Sequence, residues 1–388
     1  PVSSRSISNL TGIEDFIALE SLNASYNELT SLTLSNDAPM TGYLLCTNNQ
    51  LTDLDVSAFT DLQDLGIGHN QLTSLDVSNN TALTRLDCSN NLFTTLDVIN
   101  NTALSYLDCS GNALTALDVS ANTSLTDLRC AHNDLTILDL SNNTALGILY
   151  CYYNALTALD VSQNTSLAFF GTENNNITSL DVSANTALVQ LRCQNNQLTT
   201  LNMRNGVTDS LTTFYATNNA NLTCIETLDP DYATTNWTNA NGNIDEGVTF
   251  SVICGSEEQD VWHVATTGSD GSGNGTQESP FATIQTGINA SGDGNTVQVA
   301  AGTYVENISY SGKSISVLGE DRETTIVDGE SSGAVLLFDG DDSYTIHLSG
   351  FTITNGSNSY GGGIGIEDGM DIDISDLIIT GNIASSGG

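Results

Sequence analysis

From about residue 10 to residue 222 the apolar residues fall on a fixed grid. The stretch LTRLDCSNNLFTTLDVINNTA, from Leu83 to Ala103, is followed by LSYLDCSGNALTALDVSANTS, which repeats it almost letter for letter. Apolar and polar positions alternate over short runs, and Asn, Ser, Thr and Gly fill the spaces between them. This pattern predicts short strands joined by turns. Cys46, Cys88, Cys109, Cys130, Cys151 and Cys193 share one register with a period of 21, and Ile67 and Thr172 hold its intervening positions. Three residues further on runs an Asn column: Asn49, Asn70, Asn91, Asn112, Asn133, Asn154, Asn175 and Asn196.

A period of 20–29 with L-x-x-L-x-L/C-x-x-N-x-L spacing marks leucine-rich repeats, in which each repeat is one coil of a solenoid. The pattern predicts about ten coils, with Leu and Cys inward and Asn bonding the backbone as the chain leaves the strand. Stacked side chains on neighbouring coils run parallel, about 4.8 Å apart, which suits disulfide geometry poorly. The six in-register cysteines are therefore expected to be small buried hydrophobes. Cys224 and Cys254 break the register and flank a stretch without repeats. A disulfide between them is expected to close the array, which implies an oxidising compartment.

The text then changes. After a polar linker at 255–260, PFATIQTGINA predicts a short helix with Phe281, Ile284 and Ile288 on one face. Beyond it NTVQVAAGTYVENISY, KSISVLGE, TTIVDG and AVLLFDG predict short strands punctuated by Gly, Asn and Asp. IHLSGFTITNG from Ile346 matches IDISDLIITGN from Ile372 at a spacing of 26. Coils of short strands with Gly-Asn turns suggest a right-handed parallel β-helix. The predicted fold is a mostly β solenoid. Residues 1–254 form a leucine-rich repeat domain with a closed C-terminal cap, and 261–388 form the N-terminal part of a β-helix. The opening PVSSRS lacks a Met and the chain stops at GNIASSGG without a cap, so a piece of a longer protein is expected.

Two resemblances sharpen this expectation. NLTGIEDFIALESLNASYNELTSL, the LTxLDVSxNTAL units and NLTCIETLDPDYATTNWTN…FSVIC resemble the 21-residue leucine-rich repeat arrays of secreted Bacteroidetes surface proteins. Those repeats are in turn similar to the repeats of internalins. GSDGSGNGTQESPFATIQ, VAAGTYVENI and GFTITNG…GGGIGI resemble the cap and first coils of pectin-lyase-like β-helix domains. The first likeness implies an extracellular binding or adhesion module. The second implies a fold that hosts lyases, glycoside hydrolases and adhesive stalks alike, so it settles no function.

Charge narrows the partners. Among 388 residues, 46 acids face seven bases, a net charge of −39. Nucleic acid and anionic membranes require clustered Lys and Arg, so they are poor partners. No 18-residue apolar run suggests a transmembrane helix. The acidic surface suits a secreted or cell-surface protein.

Catalytic chemistry is sparse. A lyase base would have to be Lys313 or Arg322, and neither stands in a recognisable motif. For a hydrolase carboxylate pair, Asp339, Asp341, Asp342, Asp371, Asp373 and Asp376 are available. Asp371 and Asp373 alternate with isoleucines, as on the outer face of a strand. His69 and His132 occupy the same turn slot three coils apart, roughly 14 Å at the coil spacing, too far for one metal. His263 and His347 stand alone. No cofactor is expected, with calcium the one ion to consider.

The letters that vary between repeats are free for function. Outward positions on the predicted concave face lie three before, one before and one after the Cys column. Tyr106, Arg129, Tyr150, Tyr152, Phe169 and Arg192 fall there, with Arg85 and Ala131. Aromatic residues flanked by Arg suit stacking on sugar rings or a protein hot spot. A second outward column, including Asp97, Asp118, Asp139 and Asp160, stacks carboxylates that repel one another. Hydrogen bonds to Thr or to the backbone of neighbouring coils would offset that, and calcium between coils is the sharper alternative. The expected function is extracellular adhesion or capture of a polysaccharide or surface protein. The alternatives are a polysaccharide-degrading enzyme with its active site in further coils, and a structural filament self-associating end to end.

Overall fold

Each coil of the array turns on a strand of about three residues, whose central side chain points inward and whose flanking two point outward. Ten such strands stack in chain order into one parallel sheet: Leu22–Asn23, Tyr43–Leu45, Asp64–Gly66, Arg85–Asp87, Tyr106–Asp108, Asp127–Arg129, Ile148–Tyr150, Phe169–Gly171, Gln190–Arg192 and Thr213–Tyr215. The computed structural model describes residues 2–256, 259–338, 344–366 and 371–385. This sheet lies in the first of two units, Pro1–Ile225 with Thr234–Thr249; the second is Glu226–Ala233 with Phe250–Gly388.

The 21-residue period is the sheet register: Arg85 pairs with Tyr106, and Tyr106 with Asp127. The last step, Gln190 to Thr213, is longer. Leu86, Leu107, Leu128 and Leu149 are fully buried at the strand centres, and the cysteines that follow them are equally buried. Burying each leucine stabilises the stack by roughly 1.5–3 kcal/mol. The six in-register cysteines are free thiols, as their parallel stacking predicts, whereas Cys224 and Cys254 are disulfide-bonded.

The Asn column ties each coil to the one before. Asn133 Nδ2 donates to the Cys109 and Cys130 carbonyls at 3.1 and 3.2 Å, and its Oδ1 accepts from Leu114 N–H at 3.0 Å. Asn27 and Asn219 extend the ladder at either end with equivalent bonds. A second, deeper column of Asn80, Asn101, Asn122, Asn143, Asn164 and Asn185 is also buried. There Asn122 Nδ2 reaches the Val98 and Asn101 carbonyls at 3.0 and 2.9 Å. At the far end of the array Trp237 packs on Phe214 with ring centroids 4.5 Å apart, and the Asp245 carboxylate accepts from the N–H groups of Asn218 and Asn219.

The second unit is also built of parallel strands. Val261–Val264, Thr296–Val299, Ser316–Gly319 and the long strand Thr345–Thr354 stack in register. Gly302–Val305 and Thr325–Asp328 join the other half of the long strand. Ile308–Ser309, Leu336–Phe338 and Ile364–Ile366 make a separate ladder. The 26-residue match is a strand register: Ile346 pairs with Ile372 and Ile353 with Ile379. The helix is Ile284–Ala290, with Phe281 just outside it in a bridge to Val264. Gly287 lets the helix lie against the sheet, because a Cβ there would fall 2.8 Å from Val297 Cγ1. Trp262, Phe281, Ile284, Ile288 and Phe351 fill the core.

Candidate functional site

The register lays the outward residues of the array in rows. One row runs Asp64, Arg85, Tyr106, Asp127, Ile148, Phe169 and Gln190. Two positions along each strand, a second runs Asp87, Asp108, Arg129, Tyr150, Gly171 and Arg192. Neighbours in a row are one strand spacing apart, about 4.8 Å, close enough for large side chains to touch.

In the middle coils these rows build a continuous arginine–aromatic surface. The Arg85 guanidinium carbon is 3.7 Å from the Tyr106 ring centroid. Arg129 reaches diagonally to within 5.4 Å of the same centroid and 5.7 Å of that of Tyr150. Asp127 holds Arg129 in place through two hydrogen bonds of 3.0 Å. Tyr150 meets Tyr152 with centroids 6.2 Å apart. Tyr152 meets Tyr153 and His132 edge-on, and His132 stacks on Tyr153 at 4.5 Å and 13°.

Of the residues predicted for this face, Tyr106, Arg129, Tyr150 and Tyr152 come together. Phe169 aligns with Ile148 and Gln190, in the other row from Tyr150. Arg192 pairs in register with Gly171. Ala131, predicted to point outward, is buried. His132 and Tyr153 were not predicted as part of the site. They occupy a slot with left-handed backbone, φ 53° and 52°, where Asn48, Asn90, Asn174 and Asn195 stand in other coils. Asn tolerates that conformation better than a bulky residue does. Rings in this slot on two successive coils, His132 and then Tyr153, were the available signal.

Electrostatics on the face are tightly paired. Arg85 lies 3.6 Å from Asp64 in an ion pair. Burial pushes the Asp108 carboxyl above the usual range, against the opposing pull of its bonds from Ser110. Burial likewise raises the Tyr106 and Tyr152 hydroxyls. A depression of about 460 Å³ opens at one end of the face, lined by Tyr26, Asp64, Gly66, Arg85 and Asp87 among others.

The second acidic column has a different logic from the one predicted. Asp97, Asp118, Asp139 and Asp160 each accept from the backbone N–H two residues on, at 2.9–3.0 Å, within their own coil and not from a neighbour. The hydroxyl and N–H of Ser120 hold the Asp118 carboxyl below its ordinary range. The N–H and hydroxyl of Ser141 and Ser162 do the same for Asp139 and Asp160. Each carboxylate therefore closes a local Asx turn. Among the described residues no group of three or more His, Cys, Asp or Glu is placed to hold a metal ion.

In the second unit Lys313 Nζ donates to the Ile288 and Asn289 carbonyls at the helix C-terminus, and Arg322 pairs with Asp376 at 2.9 Å. His347 does not stand alone, as its isolation in the sequence suggested: its Nδ1 lies 3.0 Å from Asp373 on the next coil. Asp339, Asp341 and Asp342 lie outside the described residues, as does the side chain of Asp371. No helix among the described residues is long and apolar enough to cross a membrane.

A family model described as a protein of unknown function, DUF1565, matches residues 266–311. Comparison with curated proteins finds no match. Among solved structures, the functional domain of InlJ from Listeria monocytogenes, which includes a cysteine ladder, is similar over 91% of this chain and 74% of its own, at 24% identity and TM-score 0.48. A leucine-rich repeat protein from Leptospira interrogans is similar over 65% of this chain and 77% of its own, at 19% identity and TM-score 0.47. An internalin, inlF, from Listeria monocytogenes covers 58% of this chain and 85% of its own, at 20% identity and TM-score 0.39. The parallel solenoid of leucine-rich repeats stands on this chain's own strand register.

Proposed function

We propose that the protein captures an extended polysaccharide along the strand face of its repeat array, outside the cell, without transforming it. One observation carries this reading: the unbroken surface from Arg85 through Tyr106, Arg129, Tyr150 and Tyr152 to Tyr153 and His132. Tyrosine rings offer flat apolar platforms with polar edges, and held arginines add oriented donors. The strand spacing repeats with each coil, so an extended ligand lying across the strands can meet several of these side chains in turn. The disulfide at Cys224 and Cys254 supports an oxidising, extracellular setting. The other partner considered, a surface protein, would use the same tyrosines and arginines as a hot spot.

The test is affinity electrophoresis of the whole chain in gels containing individual neutral and anionic polysaccharides. Retardation by at least one of them, abolished in a Tyr150→Ala/Tyr152→Ala variant of unchanged melting temperature, is the expected result. Equal migration in every gel overturns the polysaccharide reading and leaves the protein partner.

A further inference from the structure

Each arginine on the strand face has a tyrosine as its neighbour on the next coil. Arg85 pairs in register with Tyr106, Arg129 with Tyr150 and Arg192 with Tyr215. The chain holds only seven Lys and Arg and 12 Tyr among 388 residues, so three such pairs from three face arginines form a motif rather than scatter. The first two pairs belong to the arginine–aromatic surface described above. The third does not. Tyr215 lies on the last strand of the sheet and is 38% exposed, and Arg192 beside it is exposed as well.

One strand, at Gly171, separates the second pair from the third: the row runs Arg129, Tyr150, Gly171, Arg192, Tyr215. The Tyr150 ring leans over that glycine, since a Cβ there would fall 3.0 Å from its Cδ1 and 3.6 Å from its Cε1. The two pairs thus stand three strand spacings apart, roughly 14 Å, with a ring inclined across the interval. Arg192 is also held differently from the other two. Arg85 and Arg129 pair with Asp64 and Asp127. Arg192 Nη2 instead lies 2.9 Å from the Gln190 side-chain oxygen, with that amide turned to accept. An amide orients the guanidinium without neutralising it, so its charge and its remaining N–H donors stay available to a ligand.

Resting on the polysaccharide reading above, we propose that Arg192 and Tyr215 form a second glycan subsite, so that full affinity requires a polysaccharide segment long enough to cover both. A chain lying across the strands stacks on Tyr150 and Tyr152, crosses the Gly171 coil and meets Tyr215 and the Arg192 guanidinium. Once one subsite is filled the other is reached within the same ligand, which gains affinity that two separate sugars do not.

Titration calorimetry with the full chain tests this, using size-fractionated oligosaccharides, from disaccharides upward, cut from a β-glucan, a galactomannan and alginate. Affinity is expected to rise in a second step once the oligosaccharide spans both subsites. Tyr215→Ala and Arg192→Gln should each weaken the long oligosaccharides about tenfold, remove that step and leave the short ones unchanged. Tyr150→Ala/Tyr152→Ala should weaken both lengths. Unchanged affinity for the long oligosaccharides in both Tyr215→Ala and Arg192→Gln overturns the inference, as does an equal loss for short and long ones. In either case loss of binding in the Tyr150→Ala/Tyr152→Ala variant still upholds the polysaccharide reading. No binding of any of these oligosaccharides by the unaltered chain overturns both.

Discussion

The Arg85 guanidinium sits 3.7 Å from the centre of the Tyr106 ring, one coil away in the same row. Neither residue has its neighbour in the linear sequence; the 21-residue register brings them together. A cation over a partly exposed ring contributes about 0.5–1 kcal/mol. A double-mutant cycle with Arg85→Ala and Tyr106→Ala, read by urea unfolding, should return a coupling of that size. Additive single effects would show that the contact contributes nothing.

The Asn ladder should be worth more than this surface contact. Asn133→Ala strands the Leu114 N–H in the interior, while the Cys109 and Cys130 carbonyls lose one bond each but keep those from Asn112 and Asn154. A buried donor left without a partner costs roughly 1–3 kcal/mol, so the variant should lose an amount in that range. Urea unfolding followed by circular dichroism measures it. A loss below 1 kcal/mol would mean that the coils close without the bridge.

The array thiols should be inert while the chain is folded. Burial pushes Cys46 and Cys151 up to about 12 and raises Cys88 and Cys130 well above the ordinary thiol value. A thiol needs its thiolate form to react. Native protein treated with Ellman's reagent should therefore show no fast-reacting group, and the six free cysteines should appear only in denaturant. Prompt colour from native protein would show coils opening on the timescale of the assay.

Glu173 carries a pH signature. Its carboxyl is raised in the folded chain by burial, so over the window between its ordinary and its raised value the folded state binds more protons than the unfolded one. Stability then falls as pH rises through that window, and the full cost is present above it. Glu173→Gln should raise the melting temperature by a few degrees at pH 7, with the gain vanishing below about pH 4. An equal gain at both pH values would assign the effect to packing.

The repeat itself was legible because every coil solves one packing problem with the same letters. Leucine, cysteine and asparagine columns kept their spacing from the sequence to the sheet. Asn27 and Asn219 were missed because the steps to them differ from 21. The deeper column from Asn80 to Asn185 had the right period, but its asparagines read as turn residues. The site was half legible. Outward rows follow from strand alternation, so Tyr106, Arg129, Tyr150 and Tyr152 could be named. Phe169 needed the pairing register to be separated from Tyr150. His132 and Tyr153 needed the left-handed backbone of the turn that brings them to the face. In the second unit the 26-residue echo translated directly into strand pairing, yet the partnership of His347 with Asp373 appeared only once those strands were side by side.

Register has a genetic corollary. Every bond that holds one middle coil to the next joins residues at nearly constant offsets, so the unit that can be gained or lost is one whole coil. Duplication or excision of a segment such as 110–130 leaves each Asn facing the same kinds of carbonyl, and it moves Tyr150 relative to Arg85 by one strand spacing. Slippage by any other length throws every later Asn out of step. Unequal crossing-over between near-identical lines of the gene therefore edits the length of the surface in discrete increments, while point changes at outward positions edit what is written on it.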